Sequence, residues 1–204
     1  MEEIEGVIKF VLSHTEAPIP QPSGFPELNA WRRLLFDLGL TGQDSSRYGG
    51  LGFGNVSMRT SASQFLISGS QTGGISQLEI EDYVLVTRAD PSLNHIESMG
   101  LVPPSSESMT HAAAYSAGSW IQCVLHVHHP VIWQTSRRLG LPETPPDVAY
   151  GTQEMACEIE RLAQETRGPV IAMKGHTDGL IAIGGSTKEA GHALIEVLVR
   201  SQVR

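Results

Sequence analysis

Leu28, Trp31, Leu34, Leu35 and Leu38 recur at steps of three and four, polar residues fill most of the gaps, and Gly39 follows directly. Steps of that size stack side chains on one face of an α-helix, and glycine is where such a helix stops, so the spacing predicts an amphipathic helix. Pro18, Pro20, Pro22 and Pro26 precede it, and residues 1–26 read as an irregular lead-in. A loop carrying Gly49, Gly50, Gly52 and Gly54 then runs into β-rich stretches at 56–59, 64–67 and 83–87. Each is short and bounded by turn residues, the mark of strands.

The pattern returns to helix at 105–116, which is alanine-rich with Pro103 and Pro104 just outside its start. Residues 120–127 are β-rich, Met155, Ile159 and Leu162 form another helical stripe closed by Gly168 and Pro169, and apolar runs at 170–173 and 180–183 flank a turn at 174–179. Ser186 and Glu189 form the S-x-x-E capping box of a last helix with Ala190, Leu194, Val197 and Leu198 on one face. Strands interleave with helices, yet neighbouring short strands lack the crossover helices that parallel pairing needs. The expected class is α/β, with helices packed on a mixed or largely antiparallel sheet.

Composition narrows the picture. A chain of 204 residues, 40% hydrophobic, supports one core, and no composition shift divides it, so residues 1–204 read as a single domain. A net charge of -8 and a pI near 5.4 offer phosphate backbones no general basic face, which argues against nucleic acid as a partner. Cys123 and Cys157 make no C-x-x-C and read as buried free thiols. Met1, Glu2, Glu3 and Glu5 are acidic where a targeting peptide would be basic, and no run approaches the roughly 20 apolar residues of a membrane span, so a cytoplasmic location is expected.

The sharpest chemical feature is His126-Val127-His128 at the end of a strand-like run. Period-two alternation sends both imidazoles to one side, about 6–7 Å apart at Cα, so they can share one ion, while His129 points away. A bare H-x-H is equally two strand-end histidines bonded to backbone, and zinc, at about 2.0–2.1 Å per nitrogen, needs at least one further ligand. His176 is that candidate. The turn around it explains Gly175, Asp178 and Gly179 but not the histidine; His14, His95, His111 and His192 are its rivals, with His192 reading as a packed or solvated helix residue.

Glu107 follows Ser105 and Ser106 at a helix start, where serine caps and an acidic first turn stabilise any helix by about 0.5–2 kcal/mol. Beside a metal the same carboxylate can take and return a proton, and the serine hydroxyls and free N–H groups can hold an anion. His111, one turn on, orients Glu107 or simply packs. Lys174 and Arg59 read as exposed solubilising charges, with added charge for such an anion as the alternative. Gly54-Asn55-Val56-Ser57 and Ser68-Gly69-Ser70 are strand-end turns without the spacing of a P-loop or dinucleotide fingerprint.

In order, GNVSMR at 54–59, FLISGS at 65–70, SSE at 105–107 with His111 and Tyr115 behind it, VLHVHHP at 124–130, and GH at 175–176 before LIAIG resemble the class II aldolase/adducin family over about residues 28–198. The resemblance implies a three-layer α/β/α domain with a mostly antiparallel central sheet, usually a four-fold symmetric homotetramer with sites at subunit interfaces. It implies zinc ligands at His126, His128 and His176, a catalytic Glu107, and a phosphate pocket at Asn55, Ser68, Gly69, Ser105 and Ser106. An all-imidazole shell also accepts manganese, iron, nickel or cobalt.

The implied reaction is that of a metal-dependent lyase of aldolase type: the ion chelates a carbonyl and adjacent hydroxyl of a small phosphorylated substrate and stabilises an enediolate while Glu107 moves the proton. Related members turn the same metal enolate to epimerisation, dehydration or decarboxylation, and adducin-like domains serve binding or assembly without catalysis. Three departures accompany the match. Thr177 and Asp178 separate His176 from Gly179 where the family has His-Gly, so the loop is longer. The stretch 129–150 lacks the histidine–tyrosine pair that supplies a proton donor in fuculose-phosphate aldolases, and the chain reaches Arg204 without a long C-terminal arm.

Overall fold

The computed structural model describes residues 6–166 and 168–203, so the acidic run at 1–5 lies outside the described residues. The predicted first helix is α1 (Phe25–Asp37), which buries Phe25, Leu28 and Leu35 and ends before Gly39 at φ 68°. Pro26 belongs to this helix rather than to the lead-in: in the first turn its missing N–H costs no helical bond.

The lead-in itself needs correction, because it contains strand β1 (Val11–Glu16). A two-residue ribbon, β2 (Gly42–Gln43) with β3 (Gly52–Phe53), follows α1. Then come β4 (Asn55–Arg59), β5 (Phe65–Ser68), β6 (Tyr83–Asp90) and β7 (His95–Gly100). Next are α2 (Ser108–Ser116), β8 (Cys123–His128), the short helices α3 (Pro130–Gln134) and α4 (Ser136–Leu139), and α5 (Gln153–Thr166). Strands β9 (Val170–Ala172) and β10 (Gly179–Gly184) and the long α6 (Thr187–Gln202) complete the chain.

Eight strands form one sheet in the order β1-β7-β6-β5-β4-β8-β10-β9. Every neighbouring pair is antiparallel except β1 with β7, so the sheet is mostly antiparallel. Alternation along the strands builds two cores. Phe65, Ile67, Val124 and Ile181 face α2 and α5, burying Met109, Met155 and Ile159. Leu66, Leu125, Val127 and Leu180 face α1 and α6, burying Leu28, Leu35 and Leu194. Both faces of the sheet are thus covered by helices, the three-layer arrangement that the family resemblance implies.

Local details follow from hydrogen bonding. Ser186 caps α6 by accepting from Glu189 N–H at 3.1 Å, while the Glu189 carboxylate accepts from Gly185 N–H, one residue before the box's usual partner. Cys123 is buried but Cys157 is exposed, which corrects the reading of two buried thiols. Among the described residues no helix is long and apolar enough to cross a membrane.

Candidate metal centre

On β8, His126 and His128 share the face of Val124, the side covered by α2. The turn between β9 and β10 brings in the third imidazole: His176 N–H donates to Met173 O, and Gly179 N–H donates to His176 O, each at 3.0 Å. The longer loop therefore still delivers His176 to the strand pair. All three histidines are buried, and their candidate ligand nitrogens lie within 4.8 Å of one another. No other such group occurs among the described residues.

His126 Nε2 and His128 Nε2 are 3.1 Å apart. Two nitrogens bound at about 2.05 Å to one tetrahedral ion stand about 3.3 Å apart, so this pair fits a divalent ion with little movement. His126 Nδ1 is 3.0 Å from Leu180 O, where it donates its proton and leaves the Nε2 lone pair toward the centre. Burial, and then the neighbouring imidazoles, hold His126 and His128 well below the usual histidine range. Both are neutral at pH 7, the form that binds metals.

A cavity beside the triad is lined by Asn55, Gly69, Ser105, Ser106, Glu107 and His126. It reaches the triad through His126, which stands opposite Asn55 in the β4–β8 register. Glu107 is 2% exposed and occupies the N-cap position of α2, yet its side chain caps nothing; Ser105 Oγ accepts the Glu107 N–H at 3.2 Å instead. Helix capping therefore does not account for this carboxylate. Asn55 Oδ1 is buried without a hydrogen-bond partner, an arrangement that a polar ligand would satisfy. Ser68 does not line the cavity: its hydroxyl accepts Val56 N–H at 3.1 Å. Gly54 has φ 76°, and a Cβ there would meet His126 O at 3.0 Å, so only glycine lets this turn lie against the β8 backbone.

Farther along α2, His111 Nδ1 and Tyr115 OH each lie 2.7 Å from Ser57 Oγ on β4. Burial pushes His111 from 6.5 down to about 3. Below pH 6.5 the unfolded chain takes up the proton that the folded chain refuses, so stability is fully present above 6.5 and declines as pH falls toward 3. This residue alone contributes a slope of up to about 1.4 kcal/mol per pH unit. Urea unfolding of metal-free protein at pH 7.5 and pH 5 reads the summed effect of His111, His126 and His128, and the part that disappears in His111→Asn is its own; an equal loss of stability in wild type and His111→Asn would show that His111 is not held neutral.

The rival histidines are used elsewhere. His14 Nδ1 pairs with Ser98 Oγ at 2.9 Å and His95 Nε2 with Ser13 Oγ at 2.8 Å, both across β1 and β7. His192 packs edge-on against Trp31, and His129 Nδ1 accepts Ile132 N–H at the start of α3. Arg59 and Lys174 are not free surface charges. Arg59 donates to Ile121 O, Ala62 O and Tyr115 O, and Lys174 donates to Trp133 O from above the indole.

Sequence reasoning missed two contributors, Tyr48 and Tyr150. Asp178, with φ 64°, is a turn former as expected, but it also accepts from Tyr48 OH at 2.7 Å and pairs with Arg47 at 3.6 Å. Tyr48 packs edge-on against His128 with centroids 4.7 Å apart, so the glycine-rich loop is tied to the triad. The second is Tyr150, stacked on His176 at 4.3 Å. Neither has a sequence signal beyond being an aromatic in a turn-rich stretch.

The profile of the class II aldolase and adducin N-terminal domain matches residues 44–202. Among solved structures, YgbL from Klebsiella pneumoniae, described as a putative aldolase/epimerase/decarboxylase, superposes with a TM-score of 0.65 at 16% identity, covering 87% of this chain and 86% of that one. The L-fuculose-1-phosphate aldolase of Thermus thermophilus gives 0.64 at 20% identity over 87% and 90%. A sugar-phosphate aldolase from Thermotoga maritima gives 0.56 at 14% identity over 87% and 96%. No curated protein matches the sequence at a significant level. At these identities the structural likenesses establish the fold.

Proposed function

The chain belongs to the class II aldolase and adducin N-terminal domain family, and from that premise we propose that it is a metal-dependent lyase of aldolase type. Its substrate is a small, phosphorylated hydroxy-carbonyl or sugar compound. The observation that carries this reading is the buried three-imidazole cluster next to a cavity walled by a carboxylate that caps no helix. An adducin-like scaffold has no use for such a combination.

His126, His128 and His176 would hold the ion, zinc in first place and manganese, iron, nickel or cobalt in its stead. Bound there, a divalent ion supplies Lewis acidity toward a substrate carbonyl and its adjacent hydroxyl. In cleavage the C–C bond beside that carbonyl breaks, its electron pair passes to the carbonyl side as an enediolate, and the far hydroxyl gives up its proton as it becomes an aldehyde. Glu107, buried at the cavity wall, delivers a proton to the enediolate carbon; in the condensation direction it takes that proton back. Ser105 and Ser106 hydroxyls, the Gly69 backbone and the Asn55 carboxamide bind the anionic end and orient the reacting bond. This set of groups serves epimerisation, dehydration and decarboxylation as well as cleavage, so product analysis on pentulose and hexulose phosphates decides the reaction. We further propose one domain over residues 1–204, a homotetramer and a cytoplasmic location.

Protein purified without an affinity tag is expected to carry close to a full complement of divalent ion. Restoring the ion to stripped protein at a hundred times its dissociation constant should stabilise the fold by about 2.7 kcal/mol, seen as a raised melting temperature. Metal content under about a tenth of an ion per chain, with no response to zinc, manganese or cobalt, would favour the scaffold reading.

A further inference from the structure

Four groups from distant parts of the chain form a column ending at the triad. His126 and His176 stack at 5.2 Å with 21° between their planes. Tyr150 stacks on His176 at 4.3 Å and 19°, and Lys9 Nζ stands 3.9 Å from the Tyr150 centroid while donating to Tyr150 O at 2.7 Å. Lys9 and His176 thus both pack on the Tyr150 ring, and Tyr150 and His126 both pack on the His176 ring.

The backbone is arranged to allow this. A Cβ on Gly175 would lie 1.8 Å from Val148 O, so glycine at 175 lets the chain around 148–150 close on the turn that carries His176. Lys9 is fixed from the other side: Asn94 Nδ2 donates to Lys9 O at 2.9 Å, and Val11 N–H donates to Asn94 O at 2.8 Å where β1 joins the sheet.

An imidazole binds a metal through a lone pair in its ring plane, and its terminal torsion is broad, so something must set that plane. For His126 the bond to Leu180 O does so. We infer that Tyr150, backed by Lys9, is a positioning residue that helps set the ring plane of His176, which makes the segment leading into β1 a working part of the metal centre. The inference rests on the triad being a metal site, and extends it to residues that touch no metal.

Cobalt(II) bound to the full-length protein tests it, with affinity from competition against a chromophoric chelator and geometry from the visible absorption bands. Tyr150→Leu is expected to weaken cobalt binding about 10- to 100-fold and alter the bands, whereas Tyr150→Phe, which keeps the flat face, stays within about twofold. Lys9→Met gives a test by sign. Through-space repulsion alone predicts tighter binding once this cation is gone, while positioning predicts binding about 2- to 5-fold weaker. Lys9 is exposed, so this variant keeps the fold and decides the matter even where Tyr150→Leu does not fold. Wild-type affinity and bands in Tyr150→Leu, a loss in Tyr150→Phe equal to that in Tyr150→Leu, or tighter binding by Lys9→Met each overturn the inference. A wild-type protein that binds no cobalt, or a His126→Ala variant that binds it normally, instead overturns the metal reading beneath it.

Discussion

His126→Ala is expected to empty the centre and abolish turnover, lowering activity by at least about 10³-fold. His126 is the member of the triad that lines the cavity, faces His128 Nε2 at 3.1 Å and is oriented by Leu180 O. Removing it leaves two imidazoles, too few for a tight site in competition with water. The fold should survive, because the lost side chain leaves a small gap and one carbonyl short of a donor, a cost of about 1–3 kcal/mol. Metal content after dialysis, activity and the melting temperature of the metal-free form are read on the same sample. A variant that retains both ion and activity would remove His126 from the centre. One that loses activity while keeping its ion would move the binding site elsewhere.

How much of this was legible beforehand depends on how local each signal is. The α1 periodicity and the alternation of Val124, His126 and His128 against Leu125 and Val127 are local, and both elements form. The α1 face is only partly the predicted one, because Leu28 and Leu35 are buried while Leu34 and Leu38 are exposed and Arg32 is buried in their place, its guanidinium donating to Thr72 O and Ser76 O. Strand β1 was missed because it lies at the sheet edge with Val11 exposed, so it carries no clean alternation, and because its partner β7 lies some eighty residues away. His176 stood out as a histidine that turn chemistry does not require; its convergence with β8 depends on the β8–β10 register, which no local pattern encodes. Contacts such as Tyr48 with Asp178, or Lys9 with Tyr150, join side chains more than a hundred residues apart. Ser68, which the family resemblance implies as an anion ligand, makes a contact that no motif shows: its hydroxyl accepts the backbone N–H of Val56, twelve residues away.

Glu107→Gln separates holding the ion from using it. The amide has the shape of the carboxylate and fits the same buried place at the start of α2, so packing against the cavity wall is retained. It cannot accept a proton from carbon. The variant should therefore bind metal like the wild type, show a similar KM, and lose kcat by about 10²- to 10⁴-fold, the contribution of a positioned general base. Solvent deuterium enters the product carbon left by the broken bond in cleavage, and the sugar carbon next to the carbonyl in epimerisation by proton removal; either incorporation reports that step and should fall in parallel with kcat. Glu107→Asp withdraws the carboxylate by one methylene and should fall between the two, because proton transfer weakens steeply with distance while the basicity remains. Loss of metal in Glu107→Gln would make Glu107 a ligand instead of a base. Undiminished exchange would leave proton transfer to another group at the cavity wall.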